Sequence, residues 1–478
     1  MIVEGSGYRE LLEPEKREEC GIVGISADRN IAQEIYYSLR IVQHRGQEAA
    51  GIAVYSNGIK CVKGMGLVHE IFPSGVLDEL NGKAGIGHVR YSTTGTSVIE
   101  NSQPVVVKTT YGELAIAHNG DIVNSNALRE DYQKRGGALI TDTDSEIILK
   151  MLANEISESK NIYKAIKSVM SALVGSYSIV LLFNDRVFAI RDPLAIRPLC
   201  VGQADGMYVA ASESVVVEML GGKFIRDVEP GEVIELMPDT MHSVKLVAPQ
   251  QSAHCMFEWV YFARPDSTMD GRLVYDVRRR IGERLAKEHP VDADIIVPIP
   301  DSGRAQAEGF SRVSGIPHSE GFVKNRHIER TFIMPLQSER EYAVKLKLNP
   351  IRGVVNDSRV VLVDDSIVRG TTMRKIVQMV RNAGAKEVHV RIGCPPIIAP
   401  CFLGIDMKTR DQFAATDRTV KEIAKLITSD TLGYISVGGL VEAIGLDANN
   451  LCLGCLTGEY PMQIPGEKLR FQRRLDSF

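Results

Sequence analysis

The sequence has no excess of positive charge and no long apolar run. It contains 56 Lys and Arg against 60 Asp and Glu, which gives a formal net charge of −4 at pH 7. Proteins that hold nucleic acid neutralise its phosphates with Lys and Arg, so this balance predicts no nucleic-acid partner. No stretch approaches the roughly 18 consecutive apolar residues of a transmembrane helix, and we therefore predict no membrane partner.

The N-terminal segment 1–19 lacks both parts of a secretory signal. MIVEGSGYRELLEPEKREE has neither a basic n-region nor an apolar h-region. We therefore expect a cytoplasmic location. Thiols stay reduced in that compartment, so clustered members among the eight cysteines are expected to bind metal or act in catalysis rather than form disulfides.

The pattern of the chain changes once along its 478 residues. Residues 20–245 hold short apolar runs punctuated by glycine, which predicts antiparallel strands in layers. Beyond that point apolar strands alternate with helical patterns, as they do around a parallel sheet. We therefore predict a leader of residues 1–19, a first domain of 20–245 and a second domain of 246–478.

The clearest ligand-binding signal is VVLVDDSIVRGTT at 360–372, an apolar strand followed by a glycine-containing loop and a helix. Ligands bind at the carboxyl ends of strands in open α/β sheets, and backbone N–H groups at a helix N-terminus favour phosphate. Two adjacent carboxylates beside such a loop suit ribose hydroxyls and Mg²⁺. The candidate ligand-binding residues of this stretch are Asp364, Asp365, Ser366, Arg369, Gly370, Thr371 and Thr372. The string resembles the signature of type I phosphoribosyltransferases, which bind 5-phosphoribosyl 1-diphosphate (PRPP).

Two upstream segments support that resemblance. IVPIPDSGR at 296–304 looks like the diphosphate loop of the same fold, and Ser302 is expected to join Asp364 and Asp365 around one Mg²⁺ ion. GFVKNRHIERTFIMP at 321–335 is either a solvated charged loop or a basic lid that closes over the diphosphate and excludes water. Its cations are Lys324, Arg326 and Arg330.

The first domain carries a second set of motifs, which begins at Cys20 in CGIVGIS. The others are QHRGQEAAG (43–51), GHVRYSTTG (87–95), HNGDIVN (118–124) and TDTDSE (141–146). Together they resemble the class II glutamine amidotransferases. The resemblance implies an α+β N-terminal-nucleophile hydrolase domain of four αββα layers, followed by an α/β phosphoribosyltransferase domain with a parallel sheet.

The same resemblance implies a role for each polar residue of the first domain. Cys20 would be the nucleophile and its own α-amino group the base. Asn119 and Gly120 would form the oxyanion hole. Arg90 would pair with the α-carboxylate of glutamine, and Asp144 with its α-ammonium.

The eight cysteines include a C-x₂-C pair, Cys452 and Cys455. Cys255 and Cys401 bring the candidate ligands to four, with Cys394 as a rival of Cys401. Four thiolates suit either a zinc site or a [4Fe–4S] cluster. The flanking strings resemble the iron–sulfur subgroup of the amidophosphoribosyltransferases, which favours the cluster. The remaining cysteines, Cys61, Cys200 and Cys394, are expected to be buried apolar residues.

Both halves together thus resemble the amidophosphoribosyltransferases, enzymes of the first committed step of purine synthesis. The resemblance implies that ammonia released from glutamine at Cys20 attacks C1 of PRPP, giving 5-phosphoribosylamine, glutamate and diphosphate. It also implies a homotetramer that is inhibited by purine nucleotides. Two alternatives stay open: another class II amidotransferase with a different acceptor, and a non-catalytic regulator that binds PRPP.

The internal position of Cys20 generates a prediction. Its α-amino group is free to act as a base only if residues 1–19 are removed, so we expect a propeptide that is cleaved between Glu19 and Cys20. Intact mass and N-terminal sequencing of the active protein should therefore give a chain that starts at Cys20. Full glutamine-dependent activity in a chain that still carries residues 1–19 would contradict this mechanism.

Overall fold

The computed structural model describes residues 20–91, 98–325, 348–407 and 410–464. The expected propeptide, Arg326 and Arg330 lie outside the described residues. In the described ranges no helix is long and apolar enough to cross a membrane.

The first domain is built on two antiparallel sheets. Its strands are β1 (Gly21–Ala27), β2 (Ala49–Tyr55), β3 (Ile59–Met65), β4 (Ala84–Arg90), β5 (Val105–Thr109), β6 (Gly112–Ile122), β7 (Gly175–Phe183), β8 (Arg186–Arg191), β9 (Cys200–Ala204), β10 (Met207–Ala211), β11 (Lys223–Asp227), β12 (Glu232–Leu236) and β13 (Met241–Lys245). One sheet has the order β11-β9-β10-β1-β4-β2-β3, and the other has the order β13-β12-β8-β7-β6-β5.

Helices cover the outer face of each sheet. They are α1 (Ala32–Ile41), α2 (Val68–Ile71), α3 (Ser74–Glu79), α4 (Ser125–Lys134), α5 (Asp144–Ser159), α6 (Ile162–Ala172) and α7 (Val215–Met219). Strand β1 is buried along its whole length because Val23 and Ile25 face α1 while Ile22 faces the other sheet. At Gly24 an added Cβ would lie 3.0 Å from Val187, so the glycine lets the two sheets approach closely. The predicted αββα layering is confirmed.

The second domain has a parallel sheet at its centre. Its strands, in the order in which they lie, are β17 (Ile295–Pro298), β20 (Arg359–Asp364), β21 (Glu387–Ile392) and β22 (Thr431–Tyr434). The short strands β14 (His254–Cys255), β15 (Thr268–Met269), β16 (Arg272–Leu273), β18 (Phe322–Lys324), β19 (Leu348–Pro350) and β23 (Leu451–Cys452) form three separate pairs.

The helices of the second domain pack around that sheet. They are α8 (Val274–Glu288), α9 (Gly303–Ser314), α10 (Arg352–Val355), α11 (Thr371–Asn382), α12 (Val420–Ile427), α13 (Val437–Ile444) and α14 (Gly454–Thr457). In α8 the buried positions Val277, Ile281 and Leu285 recur at helical spacing and face the core, as the sequence predicts. A π-helix, Glu258–Phe262, lies where the chain enters this domain. The predicted α/β domain with a parallel sheet is confirmed, whereas the domain limits at 245 and 246 stay predictions.

Candidate functional site

Cys20 lies immediately before β1, at the edge where β1 pairs with β4. Its side chain is 8% exposed, and its Sγ is 3.5 Å from the carbonyl oxygen of Tyr91. Burial raises the pKa of the Cys20 thiol to about 11, although the nearby Arg90 lowers it. The thiol is therefore uncharged at neutral pH, and it needs a proton acceptor beside it before it can act as a nucleophile.

Arg90, the last residue of β4, is buried close to Cys20. Gly46, in the QHRG motif, packs directly against its backbone, since a Cβ on Gly46 would lie 2.6 Å from the Arg90 carbonyl carbon. The glycine of that motif is thus required by close packing. Glu48, in the same motif, is close enough to affect the Cys20 thiol, and the sequence analysis did not single it out.

Strand β6 presents Asn119 and Gly120. Asn119 is 2% exposed, and its Nδ2 atom has no hydrogen-bond partner within the described part of the chain. A buried donor left unpaired costs about 1–3 kcal/mol, so such a group is typical of a place where a ligand supplies the acceptor. Gly120 has φ +150°, and a Cβ there would lie 2.0 Å from the Ser176 carbonyl oxygen, so only glycine fits.

Asp144, the first residue of α5, is paired with His118. Its carboxylate lies 3.5 Å from His118 Nδ1 and accepts a 3.1 Å hydrogen bond from the Ile122 N–H. Burial alone would raise the pKa of Asp144, but His118 and these hydrogen bonds lower it. Burial would lower the pKa of His118, and the Asp144 charge raises it instead. The two form a buried ion pair. Sequence reasoning missed His118, although it stands directly before Asn119.

The candidate phosphoribosyl site lies at the carboxyl ends of β17 and β20, which are neighbours in the parallel sheet. Asp364 and Asp365 are both buried there. The Ser302 hydroxyl, from the loop after β17, donates to one oxygen of the Asp365 carboxylate, and the Ser366 hydroxyl donates to the other at 2.7 Å. Gly370, with φ +82°, immediately precedes α11. The predicted loop after β17 and the predicted loop after β20 therefore meet at Asp365.

A pocket opens above these carboxylates. Its polar wall includes Asp364, Asp365, Ser366 and Thr372, and its apolar wall includes Phe257, Tyr261, Phe262, Ile405 and Met407. Lys324 is the last residue of β18, and its Nζ donates at 2.6 Å to Asp301 in the loop after β17. Arg369 donates to Gln412.

The candidate thiolate ligands converge from separate chain segments. Cys255 in β14 lies opposite Cys452 in β23. Cys455 is held because its carbonyl accepts hydrogen bonds from the N–H groups of Ile398 and Ala399, at 3.0 and 3.1 Å. Burial raises the pKa of the Cys455 thiol well above its usual range, and the thiols around it raise it further. Those neighbouring thiols belong to Cys401, Cys452, Cys394 and Cys255.

The choice between Cys401 and Cys394 as the fourth ligand stays a prediction. Both are close enough to Cys455 to raise the pKa of its thiol, and Cys401 also raises the pKa of Cys452. Among residues 20–91, 98–325, 348–407 and 410–464, no three Cys, His, Asp or Glu side chains already form a metal-binding group. Of the cysteines expected to be buried, Cys200 and Cys394 are, whereas Cys61 is only half-buried on β3.

Buried charges join the two domains between these sites. Arg45 of the first domain pairs with Glu213 at 2.5 Å and with Glu258 of the second at 2.6 Å. The 2.6 Å contact of Arg45 is with Glu258 Oε2, and Arg197 Nη1 lies 3.8 Å from Glu258 Oε1. Burial would raise the pKa of Glu213, but Arg45 and His44 hold it well below its usual range. Glu258 begins the π-helix that carries Tyr261 to the pocket, so this junction positions part of the phosphoribosyl site.

The fold and the two sites define a bifunctional enzyme, a class II glutamine amidotransferase joined to a type I phosphoribosyltransferase. Matches to family models agree with this class. A model described as a glutamine amidotransferase domain matches residues 88–218, and one described as a phosphoribosyl transferase domain matches residues 272–394.

Full-length relatives identify the family. The chain is 51% identical over 459 residues to the amidophosphoribosyltransferase of Methanothermobacter thermautotrophicus, covering 95% of this chain and 97% of the relative. It is also 51% identical to that of Methanocaldococcus jannaschii, over 94% and 99% of the two chains. The solved structure of the Bacillus subtilis glutamine PRPP amidotransferase, complexed with ADP and GMP, is 40% identical in sequence and has a TM-score of 0.88. The match covers 94% of this chain and 98% of that chain.

The chain therefore belongs to the amidophosphoribosyltransferase family. Its activity is the glutamine-dependent amidation of PRPP, the first step of purine biosynthesis. The two alternatives, an amidotransferase with a different acceptor and a non-catalytic regulator, are not supported, because similarity to these enzymes extends over both domains.

The buried junction generates a stability prediction. Glu258→Gln removes a buried negative charge that faces both Arg45 and Arg197, and we expect it to lower the free energy of unfolding by about 3 kcal/mol. Urea unfolding measures the change. The matched control is Glu283→Gln on α8, which breaks a half-exposed pair with Arg279 and should cost less than about 1 kcal/mol. Equal effects of the two substitutions would contradict the junction's role.

Proposed function

We propose that Cys20 hydrolyses glutamine in a site completed by Arg90, Asn119, Gly120 and Asp144. The observation that carries this assignment is the buried Nδ2 atom of Asn119, which has no hydrogen-bond partner among the described residues. Asn119 lies on the strand that also carries His118, the partner of Asp144. Arg90 and Asp144 are both close enough to Cys20 to affect its thiol. Glutamine requires a nucleophile and an oxyanion donor for its γ-amide, a cation for its α-carboxylate and an anion for its α-ammonium, and these residues supply all of them.

The proposed chemistry follows from the state of the thiol. Because the Cys20 thiol is uncharged, its proton must leave as sulfur attacks the amide carbon, and the freed α-amino group of the same residue is the base within reach. Asn119 Nδ2 and the Gly120 N–H then stabilise the oxyanion, and the amino group returns the proton to the departing ammonia. Removal of residues 1–19 before Cys20 is part of this proposal.

The substrate's charged groups would replace existing contacts. The guanidinium of Arg90 suits the α-carboxylate as a planar, two-pronged donor. Asp144 suits the α-ammonium, which would compete with His118 for the same carboxylate. His118 thus keeps Asp144 ionised until glutamine arrives.

We propose that the second site holds PRPP on the residues of its two loops. Ser302, Asp364 and Asp365 fit Mg²⁺, because a buried carboxylate flanked by hydroxyls offers the oxygen ligands that this ion prefers. When bound, Mg²⁺ would neutralise charge on the diphosphate. The other proposed contacts are Ser366, Arg369, Gly370, Thr371 and Thr372 in the phosphate loop, and Lys324 and Arg326 in the basic segment.

We propose a [4Fe–4S] cluster on Cys255, Cys401, Cys452 and Cys455. The donor set fits in its chemistry, since four thiols come from three segments that backbone hydrogen bonds already align, and the other three are close enough to Cys455 to affect its thiol. When bound, the cluster would tie those segments together. Zinc is the alternative occupant, and Cys394 is the alternative ligand.

Regulation and assembly complete the proposal. The Bacillus subtilis relative was solved with ADP and GMP, and on that basis we propose that purine nucleotides also bind and inhibit this chain. A homotetramer and a cytoplasmic location stay predictions.

Separating the two reactions tests the nucleophile. Cys20→Ala should abolish phosphoribosylamine synthesis from glutamine, because no sulfur remains to attack the amide, and should leave synthesis from ammonia within twofold. Steady-state assays with each nitrogen source measure both. Cys200→Ala, which removes another buried thiol of the first domain, should change neither activity. Loss of both activities in Cys20→Ala would contradict separate sites.

Metal analysis tests the cysteine set. Protein purified without oxygen should contain about four iron and four sulfide per chain and should absorb visible light. Cys452→Ser should lose this iron, because it removes one of four ligands, whereas Cys200→Ser should keep it. Zinc without iron in the intact protein would contradict the cluster, and iron retained by Cys401→Ser but lost in Cys394→Ser would assign the fourth ligand to Cys394.

A further inference from the structure

A short segment of the second domain, residues 401–407, reaches into the first domain beside the oxyanion strand. The carbonyl oxygen of Leu403 accepts a 2.9 Å hydrogen bond from the Ser176 hydroxyl and another of 2.9 Å from Arg197 Nε. All three groups are buried. At the other end of the segment, Ile405 and Met407 line the phosphoribosyl pocket.

Gly404 brings this segment against the oxyanion strand itself. Its φ is +105°, and a Cβ there would lie 3.2 Å from the Gly120 carbonyl carbon and 2.9 Å from Arg197 Nη2. Any side chain at 404 would push the segment away from Gly120. The contact therefore depends on the absence of a side chain at position 404.

Ser176 lies between the segment and the backbone around Gly120. In the pairing of β6 with β7, Ser176 is opposite Asp121, the residue after Gly120. Its hydroxyl accepts a 3.3 Å hydrogen bond from the Asp121 N–H while it donates to Leu403. One hydroxyl thus connects the strand that carries the oxyanion donors to the second domain.

We propose that Ser176 is a positioning residue, through which the Leu403 carbonyl holds the oxyanion donors of β6 in place. An oxyanion hole works because its donors are already aimed at the position of the developing charge, so a small displacement of the Gly120 N–H weakens it. Gly120 has no side chain to fix its own peptide, and the neighbouring contacts must do so. The inference rests on the proposed oxyanion role of Asn119 and Gly120.

Removing the hydroxyl tests the proposal. Ser176→Ala should lower kcat for glutamine hydrolysis about tenfold and leave KM for glutamine within twofold, because the contact affects the transition state more than the bound substrate. A glutamine γ-aldehyde, which forms a tetrahedral adduct with a cysteine thiol, should bind about tenfold more weakly. Synthesis from ammonia should not change.

Ser38→Ala is the matched control. Ser38 is also buried in the first domain and also donates to a carbonyl, but that carbonyl belongs to Glu34 in the same helix and not to the 401–407 segment. It should leave kcat and aldehyde binding unchanged. Gly404→Ala is the second variant, since it displaces the segment without altering Ser176, and it should reproduce the loss of kcat.

The results for Asn119 and Ser176 distinguish failure of the positioning role from failure of the proposed oxyanion hole. If Asn119→Ala lowers kcat by 10²-fold or more while Ser176→Ala and Gly404→Ala leave kcat and aldehyde binding unchanged, the oxyanion hole stands and the positioning role is wrong. If Asn119→Ala retains full kcat, the proposed oxyanion hole is itself wrong. Equal losses of glutamine and ammonia activity in Ser176→Ala would show general damage and would also overturn the role.

Discussion

The buried ion pairs between Glu258 and the arginines of the first domain are the constraint on which the two-site architecture depends. A charge removed from water is tolerated only when an opposite charge meets it in good geometry. Glu258 of the second domain is matched by Arg45 and Arg197 of the first domain, and Arg45 also pairs with Glu213 within its own domain. Undocking the domains would break this match, so the junction favours one fixed arrangement of the two catalytic centres.

That fixed arrangement gives each chemical step its position. The proposed nucleophile Cys20 precedes a central strand of one sheet, and the proposed PRPP-site residue Asp364 ends a central strand of another, so both proposed centres lie on strands inside their sheets. Between them lie the π-helix that begins at Glu258 and the 401–407 segment, each of which contacts the first domain and also lines the phosphoribosyl pocket. The apolar groups of that pocket suit the passage of neutral ammonia, because only the unprotonated form is a nucleophile.

The sequence predicted the features that are local, and it missed those that depend on distant parts of the chain. The strand and loop around Asp364 follow from one contiguous string, and the layered first domain follows from alternating short strands. Ser302 was assigned to the metal site through the resemblance of its segment to a diphosphate loop, and the structure brings it to Asp365 because β17 and β20 are neighbours in the parallel sheet. His118 lies within a recognised motif, but its pairing with Asp144 could not be predicted, because it forms only where β6 packs beside the N-terminus of α5. The sequence around each junction residue gave no sign of its role, because a single buried charge or hydroxyl does not produce a repeating hydrophobic pattern. These residues are Glu258, Ser176 and Arg197.

The central claim is that one docked body hydrolyses glutamine at Cys20 and delivers the nitrogen to PRPP without releasing it. Isotope competition tests this most directly: the enzyme turns over amide-¹⁵N glutamine and PRPP in the presence of excess unlabelled ammonium, and the trapped phosphoribosylamine is analysed by mass. Product that keeps nearly all of the ¹⁵N label is the result expected for direct transfer. Label diluted to the composition of the bulk ammonium pool would show that the two sites exchange nitrogen through solvent, and it would contradict the account.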